Sequence, residues 1–239
     1  LRGSFLVLFA ACAAILWGET GVPGPNVILR NYQAASRGQE TSLRGASMEV
    51  EIDANLPRLK KHGRLQALRH VSALGRITYD ALRWEGDPTV KTNVIARYLE
   101  AEVQAQNESQ EGPSLAITPR NYRFRYLGTV QTEQRRAYLF QVSPRKKRVG
   151  LFKGQLWIDA ETYLPVQESG RLVKTPSIFL KRVEFVRKYE IRDGISVPRQ
   201  IQSVIDTRLV GKAELVVDYS NYALGESARR ASLFEIYGQ

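Results

Sequence analysis

The sequence predicts an α+β protein organised on an antiparallel sheet that has one apolar and one solvated face. Three observations carry that reading. Between Gly150 and Tyr222, five short runs rich in Val, Ile, Leu, Tyr and Phe follow one another, parted by turn signals at Asp159-Ala160-Glu161-Thr162, Gly170, Asp193-Gly194 and Gly211. Runs of this length and composition, broken at this spacing, read as an antiparallel meander. Asp193-Gly194 between two such runs is a strong short-range hairpin signal. Finally, the runs alternate. Val183, Phe185, Tyr189 and Ile191 share a face, interrupted by Arg187. Ile201 and Ile205 share a face, and so do Leu215, Val217 and Tyr219, while Glu184, Lys188, Glu190, Gln200, Gln202, Asp206, Glu214 and Asp218 fall on the opposite side. An apolar sheet face has to be covered, and what covers it is the functional question.

Composition allows a sizeable core. The 239 residues are 43% hydrophobic and 25% charged, enough for one large domain or two small ones. Lys plus Arg number 35 against 24 acidic residues, a net charge of +11. That excess favours anionic partners such as nucleic acid, phospholipid headgroups or acidic polymers; it is also the value that a basic compartment would set. The single cysteine is Cys12, so the rest of the chain offers no intrachain disulfide, zinc cluster or Cys nucleophile.

In chain order, Leu1 to Gly18 has one basic residue, an apolar run from Phe5 to Trp17 and small residues near its end. This reads as a secretory signal peptide over 1–18. The run is shorter than the roughly 20 residues of a spanning helix. A lipoprotein leader with Phe9-Ala10-Ala11 before Cys12, which would anchor the chain at that residue, and a buried N-terminal helix are the other readings. Residues 19–26 form a Gly/Pro linker, and Asn26 is placed to cap a helix starting at Val27. Met48 to Ala54 alternates as a half-buried strand. Arg64–Val71 and Arg76–Trp84 are two more, the latter with Ile77, Tyr79 and Ala81 on one side and Leu82 and Trp84 on the other. Asp87-Pro88 opens a helix as N-cap and first residue. Its apolar stripe is Val90, Val94, Ile95, Tyr98, Leu99 and Val103, with Arg97, Glu100 and Glu102 off it, and the end of the stripe predicts a stop near Gln104. That face plugs a core or lies over a sheet as a lid. A polar loop from Gln106 to Asn121 follows. Next come strands around Tyr122, Phe124 and Tyr126 and around Tyr138, Phe140 and Val142, then a basic tip, Arg145-Lys146-Lys147-Arg148. Ser232 to Tyr237 is a candidate last strand.

The order of helix, three strands, helix and long meander resembles the LolA/LolB-like periplasmic lipoprotein carriers (the outer-membrane lipoprotein-sorting-protein-like group). The residues that carry the resemblance are Gly154-Gln155-Leu156-Trp157-Ile158-Asp159 with Thr162-Tyr163-Leu164-Pro165-Val166, similar to the family's strand, turn and T-x-L-P strand, and Asp193-Gly194-Ile195-Ser196-Val197-Pro198, similar to a later D-G-x-x-x-P hairpin. The resemblance implies a single domain over 27–239: a strongly curved antiparallel sheet, an incomplete β-barrel, with helices covering the concave face and acyl chains bound between the two. No residue here matches the family's lid arginine.

Chemistry-bearing motifs are sparse. His62 and His70 are eight residues apart, about 26 Å along a strand at roughly 3.3 Å per residue, too far to share a metal on a straight strand; His70 has Asp80 as a candidate structural partner. No G-x-S-x-G elbow, P-loop, H-E-x-x-H or dinucleotide fingerprint occurs. No catalytic residues, metal ligands or cofactor are therefore expected, and the protein reads as a binding module. The expected lipid-lining residues are Met48, Val50, Ile52, Tyr79, Phe124, Tyr138, Phe140, Leu156, Ile158 and Val166 from strands, with Val94, Tyr98 and Leu99 from the helix. Each is equally at home in an ordinary core, because periodicity does not separate a lined cavity from a filled one. Arg145, Lys146, Lys147 and Arg148 are placed to touch anionic headgroups, at about 1 kcal/mol per charge near a surface, or simply form a solvated hairpin end. The export leader argues against nucleic acid as partner. The alternative in another class is an envelope regulator or scaffold of the same fold that binds a protein.

Overall fold

The computed structural model describes residues 22–111, 114–131, 135–176, 180–208 and 210–223, with the side chains of 40 and 106–111 left aside. The leader, Cys12, most of the linker and the candidate strand at Ser232–Tyr237 lie outside the described residues.

Ten strands form one antiparallel sheet. They are β1 (Ser47–Leu56), β2 (Lys61–Val71), β3 (Ile77–Gly86), β4 (Tyr122–Gln131), β5 (Arg136–Pro144), β6 (Phe152–Asp159), β7 (Pro165–Leu172), β8 (Leu180–Arg192), β9 (Ile195–Thr207) and β10 (Lys212–Ala223), ordered β3-β2-β1-β10-β9-β8-β7-β6-β5-β4. The five-run meander is thus β6 to β10. The sheet does not close, since β3 and β4 remain its two edges. Helices α1 (Pro25–Ser36) and α2 (Gln39–Ser42) precede it. A continuous helical run of α3 (Pro88–Val90), a π-helical turn (Lys91–Ile95) and α4 (Ala96–Glu111) joins one edge strand to the other.

Local chemistry explains most of the boundaries. Asp193 and Gly194 both have positive φ, 49° and 73°, and close the two-residue β8–β9 hairpin directly between Arg192 and Ile195, as the twist of a type I′ turn requires. Asp159 Oδ1 accepts from Glu161 N, Thr162 N and Thr162 Oγ1, fixing the β6–β7 turn. Asp87 caps its helix by accepting from Thr89 N at 2.7 Å, with Pro88 at the first helical position.

Four expectations are corrected. Asn26 is not a cap: Gly24 holds that place, because Pro25, with its preset φ, takes the first helical position. The second helix passes Gln104 and ends at Glu111; the segment after Gln104 has no apolar stripe, so its helicity leaves no periodic signal. Gly170 is not in a turn but inside β7, directly opposite Gly154 of β6. A Cβ on Gly154 would run into the Ser169 carbonyl, so the close approach of the two strands there requires glycine. Finally, Tyr79 and Trp84 lie on the same face. Gln66 pairs with Arg83 and Leu68 with Asp80, so Ala81 and Leu82 together oppose Ala67 in a β-bulge, with Ala81 at φ 51°. One extra residue reverses the parity beyond it.

Register aligns a single row of side chains across all ten strands: Trp84, Leu65, Ile52, Val217, Ile201, Arg187, Glu168, Leu156, Phe140 and Tyr126. This is the inner face, the one the helices pack on. The opposite face carries Gln66, Glu51, Asp218, Gln200 and Lys188 in register, and there Gln66 donates to Glu51 and Gln200 to Asp218.

Two apolar clusters cover the inner face from its two ends. One joins Met48, Val50, Ile52, Leu65, Leu215 and Val217 of β1, β2 and β10 to Val90, Val94 and Ile95 of the helical run. The other joins Tyr138, Phe140, Leu156, Ile158 and Phe185 of β5, β6 and β8 to Ile28 and Tyr32 of α1. Between them lie β8 and β9, where Phe185 is the one fully buried side chain between Leu180 and Arg192, and no residue from Pro198 to Thr207 is fully buried.

Candidate functional site in the concave face

The half-buried middle of the inner face is where charge enters the apolar row. Arg187 of β8 and Glu168 of β7 stand opposite each other in register. Glu168 is enclosed, its side chain 10% exposed, and accepts from Arg187 Nη1 at 3.5 Å, whereas the Arg187 side chain keeps 41% of its exposure. The guanidinium lies over the Phe185 ring, 4.6 Å from its centroid. The Tyr189 hydroxyl is close to Glu168, and Tyr32 of α1 also lies near that carboxylate. Burial works against the charge on Arg187, yet Tyr189 and Glu168 outweigh it and its pKa is raised.

A second charged group stands on the same face toward β3. Arg69 of β2 donates from Nε and Nη2 to Glu102 Oε1 of α4, at 3.2 and 2.9 Å, and Tyr79 donates to the other oxygen, Oε2. Arg69 Nη1 also reaches Met48 Sδ at 3.6 Å. The two charged side chains are only 12% and 20% exposed. Burial opposes the Arg69 charge, and Glu102 then Tyr79 raise its pKa overall. Between the two pairs, the hydroxyls of Tyr98 and Tyr219 meet at 3.4 Å. Burial, then the Glu102 charge, pushes Tyr219 up to about 12. Burial likewise raises Tyr98, Tyr79 and Tyr189. These tyrosines are uncharged at neutral pH and act as hydroxyl donors. The arrangement offers hydroxyl and guanidinium donors inside an apolar frame.

Of the expected lining residues, Met48, Val50, Ile52, Val94, Tyr138, Phe140, Leu156 and Ile158 are enclosed in the two clusters. Tyr79, Tyr98, Leu99, Phe124 and Val166 are half-buried. Val166 sits at an irregularity where Trp157 pairs with Gln167 but Ile158 with Pro165. At the basic tip, Arg145 Nε donates to Pro119 O at 2.8 Å and Arg148 Nη2 to Asn121 Oδ1 at 2.9 Å, while Lys146 and Lys147 are exposed. His70 Nε2 lies 3.4 Å from Asp80, the expected partner, and His62 Nε2 lies 2.9 Å from Asp53. Among the described residues no three His, Cys, Asp or Glu side chains cluster as metal ligands. A surface depression of about 600 Å³ at the β6–β7 turn is lined by Gln131, Arg135, Arg136, Asp159, Ala160 and Glu161.

Arg187, Glu168, Arg69 and Glu102 were not among the expected site residues. Arg187 had a signal, as the one charge in an otherwise apolar alternating set. Glu102 was placed off the helix stripe, but it is four residues beyond Tyr98 and falls on that same side.

No protein-family model matches the chain, and no curated protein matches it. Among solved structures, it is similar to a DUF1329 family protein from Desulfovibrio piger (14% identity, 82% of this chain and 92% of that one, TM-score 0.44). It is also similar to a LolA superfamily protein from Nitrosomonas europaea (14% identity, 84% and 93%, TM-score 0.39). A third is a putative outer membrane lipoprotein-sorting protein domain from Vibrio parahaemolyticus (14% identity, 83% and 91%, TM-score 0.38). With an open ten-stranded antiparallel sheet and helices on its inner face, the chain has the architecture that its resemblance to the LolA/LolB-like group implies.

Proposed function

We propose that the protein is a periplasmic carrier that holds lipid or lipoprotein acyl chains against the concave face of its sheet. The observation that carries this reading is the half-exposed strip along β8 and β9, flanked by an apolar cluster on each side. Val183, Ile201 and Ile205 present half-buried apolar surface there, and Ile201, Ile205, Tyr98 and Leu99 all pack at the margin of the same apolar cluster. An acyl chain laid along that strip leaves water at about 0.8 kcal/mol per methylene. The enclosed residues, Met48 to Ile52 on one side and Phe140 to Ile158 on the other, are then the walls, and Phe124 and Val166 the rim. Export follows from the leader at 1–18, and the chain from 27 to 239 is one binding domain. Lys146 and Lys147, steadied by Arg145 and Arg148 at the tip base, meet the anionic headgroups of the donor or acceptor membrane.

The test is native mass spectrometry of protein purified from its own envelope, followed by extraction and identification of bound lipid. The expected result is an acyl species near one per protein. Protein that is free of lipid, and that takes up no fluorescent fatty acid, would overturn the carrier reading; a co-purifying protein in its place would support a regulator or scaffold.

A further inference from the structure

The carrier reading leaves open which way round a ligand lies and what its head is. We propose that Arg187 anchors the carboxylate of a free fatty acid bound head-inward, at the middle of the row that runs from Ile201 through Glu168 to Leu156. The proposal rests on the carrier reading and adds to it the ligand class and its orientation.

The molecule itself shows what a carboxylate does with such a guanidinium. At Arg69 the Nε/Nη2 edge is filled by one oxygen of Glu102, at 3.2 and 2.9 Å. At Arg187 the only hydrogen bond made among the described residues leaves from Nη1, at 3.5 Å. The Nε/Nη2 edge, the fork that takes a carboxylate with two parallel bonds, makes no hydrogen bond among the described residues, although the side chain is 41% exposed in the concave face. Phe185 beneath the guanidinium holds its plane, and Glu168 fixes its other end.

The neighbourhood selects the head group. Glu168 already places one negative charge beside Arg187. A single guanidinium so flanked suits a monoanion better than a phosphate carrying nearly two charges. The tyrosines around it, Tyr189, Tyr98 and Tyr219, contribute hydroxyls, not charge. The row is apolar on both sides of the pair: Ile201 and Val217 lead toward the helix-covered cluster, and Leu156 and Phe140 toward the other. A carboxylate at Arg187 therefore has an apolar path for its tail in either direction.

The test compares oleate with methyl oleate, which share the tail and differ in the charged head, by equilibrium dialysis against the full chain. The wild-type protein is expected to hold oleate about tenfold more tightly than the ester. Arg187→Met should bring oleate down to the ester's affinity and leave the ester unchanged. Arg187→Lys keeps the charge without the fork and should retain only part of the preference; it decides the matter if the Met variant fails to fold by circular dichroism. Equal affinities in the wild type, or a preference undiminished in a folded variant, would overturn the carboxylate anchor and leave the carrier reading standing. Binding of neither molecule would overturn both.

Discussion

Two arginine–glutamate pairs stand on the inner face of the same sheet, and they are built for different ends. Arg69 and Glu102 join a strand to the helix that crosses above it. Two nitrogens meet one carboxylate oxygen, Tyr79 meets the other, and little of either charge reaches water. Arg187 and Glu168 lie on neighbouring strands, tied to each other and not to a helix, with Tyr32 of α1 near the carboxylate. One nitrogen reaches the carboxylate at the edge of hydrogen-bonding distance, and the guanidinium stays open. The first pair uses up its donors in holding the long helix on the sheet; the second keeps donors in reserve. A charge in an apolar face is thus not one kind of feature: its worth depends on how many of its donors are already engaged.

The comparison breaks most readily at the closed pair. Arg69→Met removes one partner of an enclosed ion pair and leaves Glu102 without its guanidinium, so it is expected to cost about 3 kcal/mol in urea unfolding. An unchanged midpoint would mean that the helix is held by its apolar stripe alone.

Alkaline titration probes the space between the pairs. Tyr219 is raised from 10.0 to about 12 by burial and by Glu102. The folded state thus holds that proton more tightly than the unfolded state. The resulting stability is intact below pH 10 and is lost as pH rises from 10 through about 12, a change on the order of 2 kcal/mol. The phenolate absorbance of Tyr219 should appear late in the titration of the wild type, and no delay in a Tyr219→Phe difference titration would contradict its enclosed setting. The smaller loss belongs to the open pair: Arg187→Met is expected to cost less in urea unfolding than Arg69→Met, because its single hydrogen bond is 3.5 Å long and its guanidinium is 41% exposed, although Glu168 stays enclosed. Equal losses at Arg69 and Arg187 would erase the distinction drawn between them.

Much of this fold was legible in the sequence, for identifiable reasons. Met48, Val50, Ile52 and Ala54 alternate and form a strand of alternating burial, since period-two patterning with one buried face leaves register little freedom. Asp193-Gly194 and Asp87-Pro88 did what their backbone preferences require. Legibility failed where a local device overrode the period. The bulge at Ala81 put Tyr79 and Trp84 on one face, and the polar end of α4 had no stripe to announce it. The candidate site was legible only at Arg187, which shows as an interruption of an apolar set, while its partner Glu168 lies in a run with no clear alternation.

The sequence by itself determined which segments are strands, where most of them turn and which face of each is apolar, because these follow from side-chain period and from the φ preferences of Asp, Gly and Pro. Only the tertiary structure decided that Glu168 faces Arg187, that Glu102 reaches Arg69, and that most of β8 and of β9 beyond Val197 is only half-buried between two cores. Those outcomes depend on register between strands and on where a crossing helix comes to rest. Both are set by contacts between residues far apart in the chain, which no local pattern encodes.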